Sequence, residues 1–322
     1  MYPVVDESFN KVLRDVLPSP AITMLEWITH LGDGAFLIAI ALLLYWFGEE
    51  SSRERRAFVI AVGLVALSLS VGLKGYFQLT RPDLAFSDGY PGFTFPSAHA
   101  MGAAALYTAL ALTMKTGPKR LRLLVAGVLI VLIGLSRIVL GVHYLADVIA
   151  GIVLGLAIVW VGFQFKSVVP EAVDDALPEE APIDLSERAI FNPGPLFVLA
   201  FVLAVAAWAL GSQVFLTMSV GAGLGGTVGW YAVRDRAFSK KGASILLLAI
   251  FALPLLFVVR AVDAIEFFDQ HSLLKGTGYA IVTALSIAIP TLAAPLDDWK
   301  YTDRLQSLLH FRGRTFDPRM EQ

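Results

Sequence analysis

Stretches of close to twenty residues with almost no charge recur along this 322-residue chain. Each is long enough to cross a hydrocarbon core of about 30 Å. The whole chain is 57% hydrophobic and 16% charged, too little polar surface to cover a soluble domain. The fold class predicted is therefore all-α: a polytopic membrane helix bundle with about nine transmembrane helices. The spans fall at 22–47, 57–79, 97–115, 121–140, 143–165, 195–211, 214–233, 243–262 and 277–295. The first is the least regular, because Glu26, His30, Asp33 and Gly34 interrupt its first half. Residues 4–17 read as a short amphipathic helix on the membrane surface. The absence of cysteine excludes disulfides, thiolate metal sites and a cysteine nucleophile. Charges at Asp6, Glu7, Lys11, Arg14 and Asp15 precede the first apolar run, so no cleavable signal peptide is expected.

Composition divides the chain further. Residues 166–192 hold Pro170, Pro178 and Pro182 with seven acidic residues, as a solvated linker does. The domains expected are a membrane-embedded core over 1–165, the acidic cytoplasmic linker over 166–192, four additional spans over 193–296 and a cytoplasmic tail over 297–322. Nine crossings put eighteen of the 25 basic residues on one side, which the positive-inside rule makes cytoplasmic. Lys74, Arg81 and Arg137 fall on the other side, as does the amino terminus. An integral protein of the cell membrane with a non-cytoplasmic site is the expectation.

Three groups of residues at that side carry chemistry, since charge at the ends of apolar spans is costly. Lys74 and Arg81, seven apart, are expected two turns apart on one helical face. Alone they also read as cations snorkelling to the interface. Pro96-Ser97-Ala98-His99 opens the third span, where free amides and a hydroxyl make an anion site and His99 an acid or base. Ser136-Arg137 is followed by His143 and Asp147, placed at i and i+4 so that the carboxylate holds the ring. Together they supply phosphoryl transfer: three cations and helix-end amides for the phosphate, a neutral imidazole to attack phosphorus, and a second histidine to exchange protons.

The three groups resemble the signature of the type 2 phosphatidate phosphatase superfamily, which also includes bacterial acid phosphatases and vanadium haloperoxidases. That signature is Lys, six residues, Arg-Pro; Pro-Ser-any-His; and Ser-Arg, five residues, His, three residues, Asp. Every named position and spacing is kept here, with Ala98 where glycine is usual. The resemblance covers roughly 20–165. It implies that Lys74, Arg81, Ser97 and Arg137 bind phosphate, that His143 is the nucleophile, His99 the acid/base, and Asp147 the orienter of His143. It implies a lipid phosphate or diphosphate substrate handled through a phosphohistidine, with neither metal nor cofactor and no nucleic-acid partner. The run Phe95–Met101, Leu31-Gly32-Asp33-Gly34 and the extra spans are most similar to family phosphatases acting on sphingoid-base and polyprenyl phosphates.

Other readings compete. A phosphotransferase would use the same site with an alcohol as acceptor. A transporter or flippase is suggested by the four extra spans, although they carry almost no mid-membrane charge. A haloperoxidase would be expected as a soluble chain. Glu26, His30 and Asp33 share one helical face, which reads as a headgroup pocket, a metal site or a solvated helix end. Arg260, Asp263 and Glu266 read as an interfacial ion pair, and the glycines from Gly221 to Gly226 as close helix packing.

Overall fold

A computed structural model of the chain describes residues 7–48, 53–84, 92–168, 189–209, 216–239, 241–247, 249–250, 272–299 and 301–302. The helices are α1 (Ser8–Val16), α2 (Ser19–Ile28), a 3-10 turn (Thr29–Gly32), α3 (Gly34–Phe47), α4 (Arg53–Phe77), α5 (Ala98–Thr113), α6 (Lys119–Val139) and α7 (Leu145–Phe163). After a two-stranded ribbon come α8 (Gly194–Ala209), α9 (Leu216–Val233) and α10 (Ser272–Ala293).

Among the described residues, four helices are long and apolar enough to cross a membrane: α4, α6, α7 and Ser272–Asp298. Ser19–Gly32 with Gly34–Phe47 adds a fifth if the pair, bent by 54°, is one span. Of the nine expected spans, these four or five are the ones that meet that test among the described residues. At 1.5 Å per residue, the 16 residues of α5 and the 16 of α8 each reach about 24 Å, short of the hydrocarbon core. The expected span at 243–262 lies mostly outside the described residues, as do Arg260, Asp263, Glu266 and most of the acidic linker.

The short helix α5 is the hub. Its buried face is alanine-rich, with Ala100, Ala103, Ala104, Ala105 and Ala109 wholly inside. Small side chains let α4, α6 and α7 pack closely around it. Gly151 and Gly155 on α7 face α5 backbone, where an added Cβ would lie 2.7 Å from the Ser97 carbonyl and 2.5 Å from that of Met101. By contrast α6 and α7 turn large apolar side chains outward, among them Leu124, Val131, Val153 and Trp160. An outward apolar face on an apolar helix is a lipid-facing surface.

The later helices cover the far side of α4, and Gly72 of α4 meets Ala207 of α8 at contact distance. The glycine-rich run packs as its composition suggests. Gly221, Gly225 and Gly229 each abut α10 backbone, Gly223 abuts Phe201, and Gly226 abuts Phe197 and Leu64. Pro290 lies inside α10 and has no N–H for the Ser286 carbonyl. Trp46 of α3 supplies the missing donor at 2.7 Å. The all-α expectation is modified at one point: a ribbon of Lys166–Val168 pairs antiparallel with Ala189–Phe191, Lys166 opposite Phe191. It joins the chain leaving α7 to the chain entering α8.

Candidate active site

The antiparallel run of α4 to α7 gathers the three motifs at one end of the bundle. Lys74 closes α4, Ser97 and His99 open α5, Arg137 closes α6, and His143 and Asp147 stand where α7 begins. Arg53, Arg55, Arg56, Lys115 and Lys119 lie at the opposite ends of α4, α5 and α6. A cavity at that far end, lined by Ala41, Leu44, Arg55, Arg56, Leu110 and Lys115, contains none of the motif residues.

His143 sits in a turn rather than on the helix, because α7 starts only at Leu145. The turn is tight. Gly141 adopts φ 69°, a left-handed conformation that costs glycine little, and Val142 N–H reaches back to the Arg137 carbonyl at 3.2 Å. Burial, reinforced by Lys74, Arg137, Arg81 and His99, pushes the His143 imidazole well below its ordinary pKa range, so the ring is neutral.

The expected His143–Asp147 contact is longer than predicted. Nδ1 of His143 lies 3.5 Å from Oδ2 of Asp147, since His143 is not on the helix that carries Asp147. Thr94 fills the gap. Its Oγ1 lies 2.5 Å from Asp147 Oδ2 and 3.0 Å from His143 Nδ1. The direction of these bonds follows from donor count. The ionised carboxylate only accepts, so the single hydroxyl proton goes to Asp147 and the threonine oxygen accepts from Nδ1–H. Nε2 of His143 is left with its lone pair. Asp147 is itself fixed by the backbone N–H of Tyr144 at 2.8 Å, a first-turn carboxylate capping its own helix.

Arg81 comes nearest the bare nitrogen, with Nη1 3.4 Å from His143 Nε2 and 2.8 Å from the Val142 carbonyl. It does not share a helical face with Lys74. The α4 helix ends at Phe77, Gln78 turns left-handed at φ 49°, and Pro82 holds Arg81 out of helical conformation. Lys74 instead donates to the carbonyls of Phe93 and Thr94, at 2.5 and 3.1 Å, and so secures the backbone that presents Thr94. Arg137, only 1% exposed, donates to Thr29 Oγ1 at 2.6 Å. Ser97 is the N-cap of α5, its hydroxyl accepting from Ala100 N–H at 3.5 Å. Its own N–H donates to the Asp147 carbonyl at 3.1 Å, which ties the second motif to the third.

Two elements outside the motifs frame His143. One is Thr94; its only sequence signal is a hydroxyl three residues before Ser97. The other is α1, whose Asn10 is buried and donates to the carbonyls of Ile138 and His143, each at 2.9 Å. Arg14 adds a bond to the Val139 carbonyl at 3.0 Å. Phe9, Val12 and Val16 stay exposed. The amphipathic segment expected at the surface is thus a clamp on the turn that holds His143.

Part of the chain that carries these residues is similar to known proteins. A family profile described as the PAP2 superfamily covers residues 56–169. Phosphatidylglycerophosphatase B of Bacillus subtilis (strain 168) is 34% identical over 171 residues, 50% of this chain and 84% of the relative. A lipid A 1-phosphatase of Rhizobium etli is 30% identical over 155 residues, 40% of this chain and 65% of the relative. Decaprenylphosphoryl-5-phosphoribose phosphatase of Mycobacterium tuberculosis is 37% identical over 112 residues, 33% of this chain and 59% of the relative. A crystal structure of a transmembrane PAP2 type phosphatidylglycerolphosphate phosphatase from Bacillus subtilis superposes with a TM-score of 0.44 at 27% identity. It covers 54% of this chain and 87% of its own.

Proposed function

The chain belongs to the PAP2 superfamily, and from that premise we propose that it hydrolyses a lipid phosphate ester through a phosphohistidine on His143. The observation that carries the reading is the His143–Thr94–Asp147 chain, which leaves Nε2 as the only basic ring nitrogen with Arg81 beside it. The relatives named above are phosphatases, and their names place the phosphate on a glycerolipid, a lipid A or a polyprenyl-linked sugar.

In the first step His143 Nε2 attacks phosphorus, and the bond to the lipid oxygen breaks. His99 gives its proton to that oxygen as it leaves. Positive charge grows on the His143 ring, and Nδ1–H passes its pull through Thr94 to the Asp147 carboxylate. Arg81, Arg137 and Lys74 offset the charge spread over the phosphoryl oxygens, with Ser97 and the first amides of α5 behind them. In the second step His99 takes a proton from water, the water oxygen attacks phosphorus and the N–P bond breaks. Inorganic phosphate leaves, and both histidines return to their starting states.

Counting α5, α8, α9 and residues 243–262 as crossings gives nine spans, and the charge bias then puts this end away from the cytoplasm. A site at headgroup depth lets the lipid tail stay in hydrocarbon. Extracting the tail would cost about 0.8 kcal/mol per methylene. The test is release of inorganic phosphate from phosphatidate, phosphatidylglycerophosphate, a sphingoid phosphate and polyprenyl mono- and diphosphates, each with excess chelator. Release from at least one, sensitive to vanadate and abolished by His143→Ala, is the expected result. Full activity in His143→Ala, or strict need for a divalent ion, would overturn the mechanism.

A further inference from the structure

The break in the first apolar segment is itself part of the site. Gly32, Asp33 and Gly34 interrupt the helix and fold the 3-10 turn inward against α5 and α6. At Gly32 a Cβ would lie 2.6 Å from Ile133 and 3.3 Å from Cδ2 of His99, so only glycine allows this approach. The fold brings Asp33 to the acid/base histidine. Oδ1 of Asp33 lies 2.7 Å from His99 Nε2, and Oδ2 lies 2.8 Å from His30 Nδ1. The carboxylate is thus gripped on both oxygens by two histidines 69 residues apart, His30 and His99.

We propose, resting on the reading of His99 as the acid/base, that Asp33 is its positioning residue and that the His30–Asp33 pair links it to water. The argument is again one of donor count. A carboxylate only accepts, so Nε2 of His99 carries a proton toward Asp33, and the proton exchanged with the substrate sits on Nδ1. The ring edge supports this: Cδ2 and Nε2 face Gly32 and Asp33, so the edge bearing Nδ1 turns away from that wall. The site then holds two histidine–carboxylate units built the same way. Asp147, acting through Thr94, leaves Nε2 of His143 bare to attack. Asp33, acting directly, leaves Nδ1 of His99 to move protons. Exposure rises along the second unit, from 21% for the His99 side chain through 41% for Asp33 to 64% for His30. That gradient runs from the largely buried His99 ring to the outer surface of the protein.

The charge matters as well as the geometry. The cations Arg81 and Arg137 and the basic ring of His143 share this end of the bundle with His99. Asp33 is the negative charge that faces the ring against them. With Asp33→Asn the imidazolium of His99 loses its counter-charge, so the proton is held less tightly.

The experiment compares Asp33→Asn with the parent protein and with His99→Ala and His143→Ala. Two substrates are used: the best lipid phosphate of the panel and p-nitrophenyl phosphate, whose leaving group needs little proton assistance. Asp33→Asn is expected to lower kcat on the lipid phosphate by about a hundredfold, the low end of general acid–base contributions, with KM nearly unchanged. The alkaline limb of its kcat/KM profile should move to lower pH. Phosphohistidine labelling from p-nitrophenyl phosphate should persist, which demonstrates an intact fold and phosphate pocket. An unshifted pH profile with parental kcat, while His99→Ala is slow and His143→Ala is dead, would overturn the role of Asp33 and leave the wider mechanism standing. Loss of labelling with p-nitrophenyl phosphate would also overturn it, since Asp33 would then hold the fold or the phosphate pocket. Activity in His143→Ala would instead remove the reading on which it rests.

Discussion

Replacing Thr94 by valine keeps the shape of the side chain and removes the hydroxyl between His143 and Asp147. Three consequences can be read from the distances. Asp147 Oδ2 keeps the Tyr144 N–H at 2.8 Å and is not left without a donor. The Lys74 bonds run to main-chain carbonyls of Phe93 and Thr94, so they survive. The Nδ1–H of His143 loses its acceptor just where positive charge develops. A hydrogen bond to a charged group contributes about 1.5–3 kcal/mol, and each 1.36 kcal/mol is about tenfold in rate. The expected loss in kcat is therefore about 10- to 150-fold, with KM little changed. It should fall short of the loss in Asp147→Ala, because the carboxylate 3.5 Å away still attracts the ring. Thr94→Ser restores the hydroxyl and should recover activity to within a few-fold. Phosphate release and rapid-quench trapping of phosphohistidine measure both steps. Parental turnover in Thr94→Val, or Thr94→Ser as slow as Thr94→Val, would refute the relay.

Two other predictions follow from packing and sidedness. Gly151→Ala puts a Cβ 2.7 Å from the Ser97 carbonyl, which is backbone and cannot swing aside. It should destabilise the protein by about 1–3 kcal/mol, as overpacking does, and cut phosphate release. Gly127→Ala, with nothing within 4 Å, should do neither in thermal melts. With no native cysteine, single cysteines at the exposed positions Asp83 and Thr116 can be probed on intact cells with an impermeant thiol reagent. Labelling of Asp83→Cys alone is expected; labelling of Thr116→Cys alone would reverse the orientation.

The parts of the site legible in sequence are those in which one residue type at a fixed spacing has few other uses. Lys74, Arg81, His99, Arg137, His143 and Asp147 stand out because charge at a span end needs a reason, and their spacings survive folding. What spacing could not supply was the path of the chain between them. A separation of seven implied a continuous helix through Lys74 and Arg81, but one left-handed residue at Gln78 ends it. A separation of four implied that His143 and Asp147 shared a helix, but the first helical residue is Leu145. Thr94 and Asn10 escaped because neutral polar residues are common and their partners lie far away in the chain, 49 and 133 residues on at His143. Glu26, His30 and Asp33 were legible as one face, yet only tertiary packing separated Asp33 and His30, which meet His99 or each other, from Glu26. Apolar length says that a helix can enter a membrane, not that it touches lipid: α5 is apolar, yet its alanine face is buried among its neighbours.

The grip of α1 on the turn that carries His143 bears on how this protein fails. Local unfolding starts where few buried contacts hold an element in place. The nine residues of α1 bury Asn10 and leave Phe9, Val12 and Val16 to whatever amphiphile surrounds them. Solubilisation that strips the interfacial layer therefore acts on α1 before it acts on the α4–α7 bundle. The carbonyls of Ile138 and His143 then lose their shared donor while every long helix remains intact. Inactivation would precede melting, and a preparation with full helical content would be no guarantee of an intact candidate site.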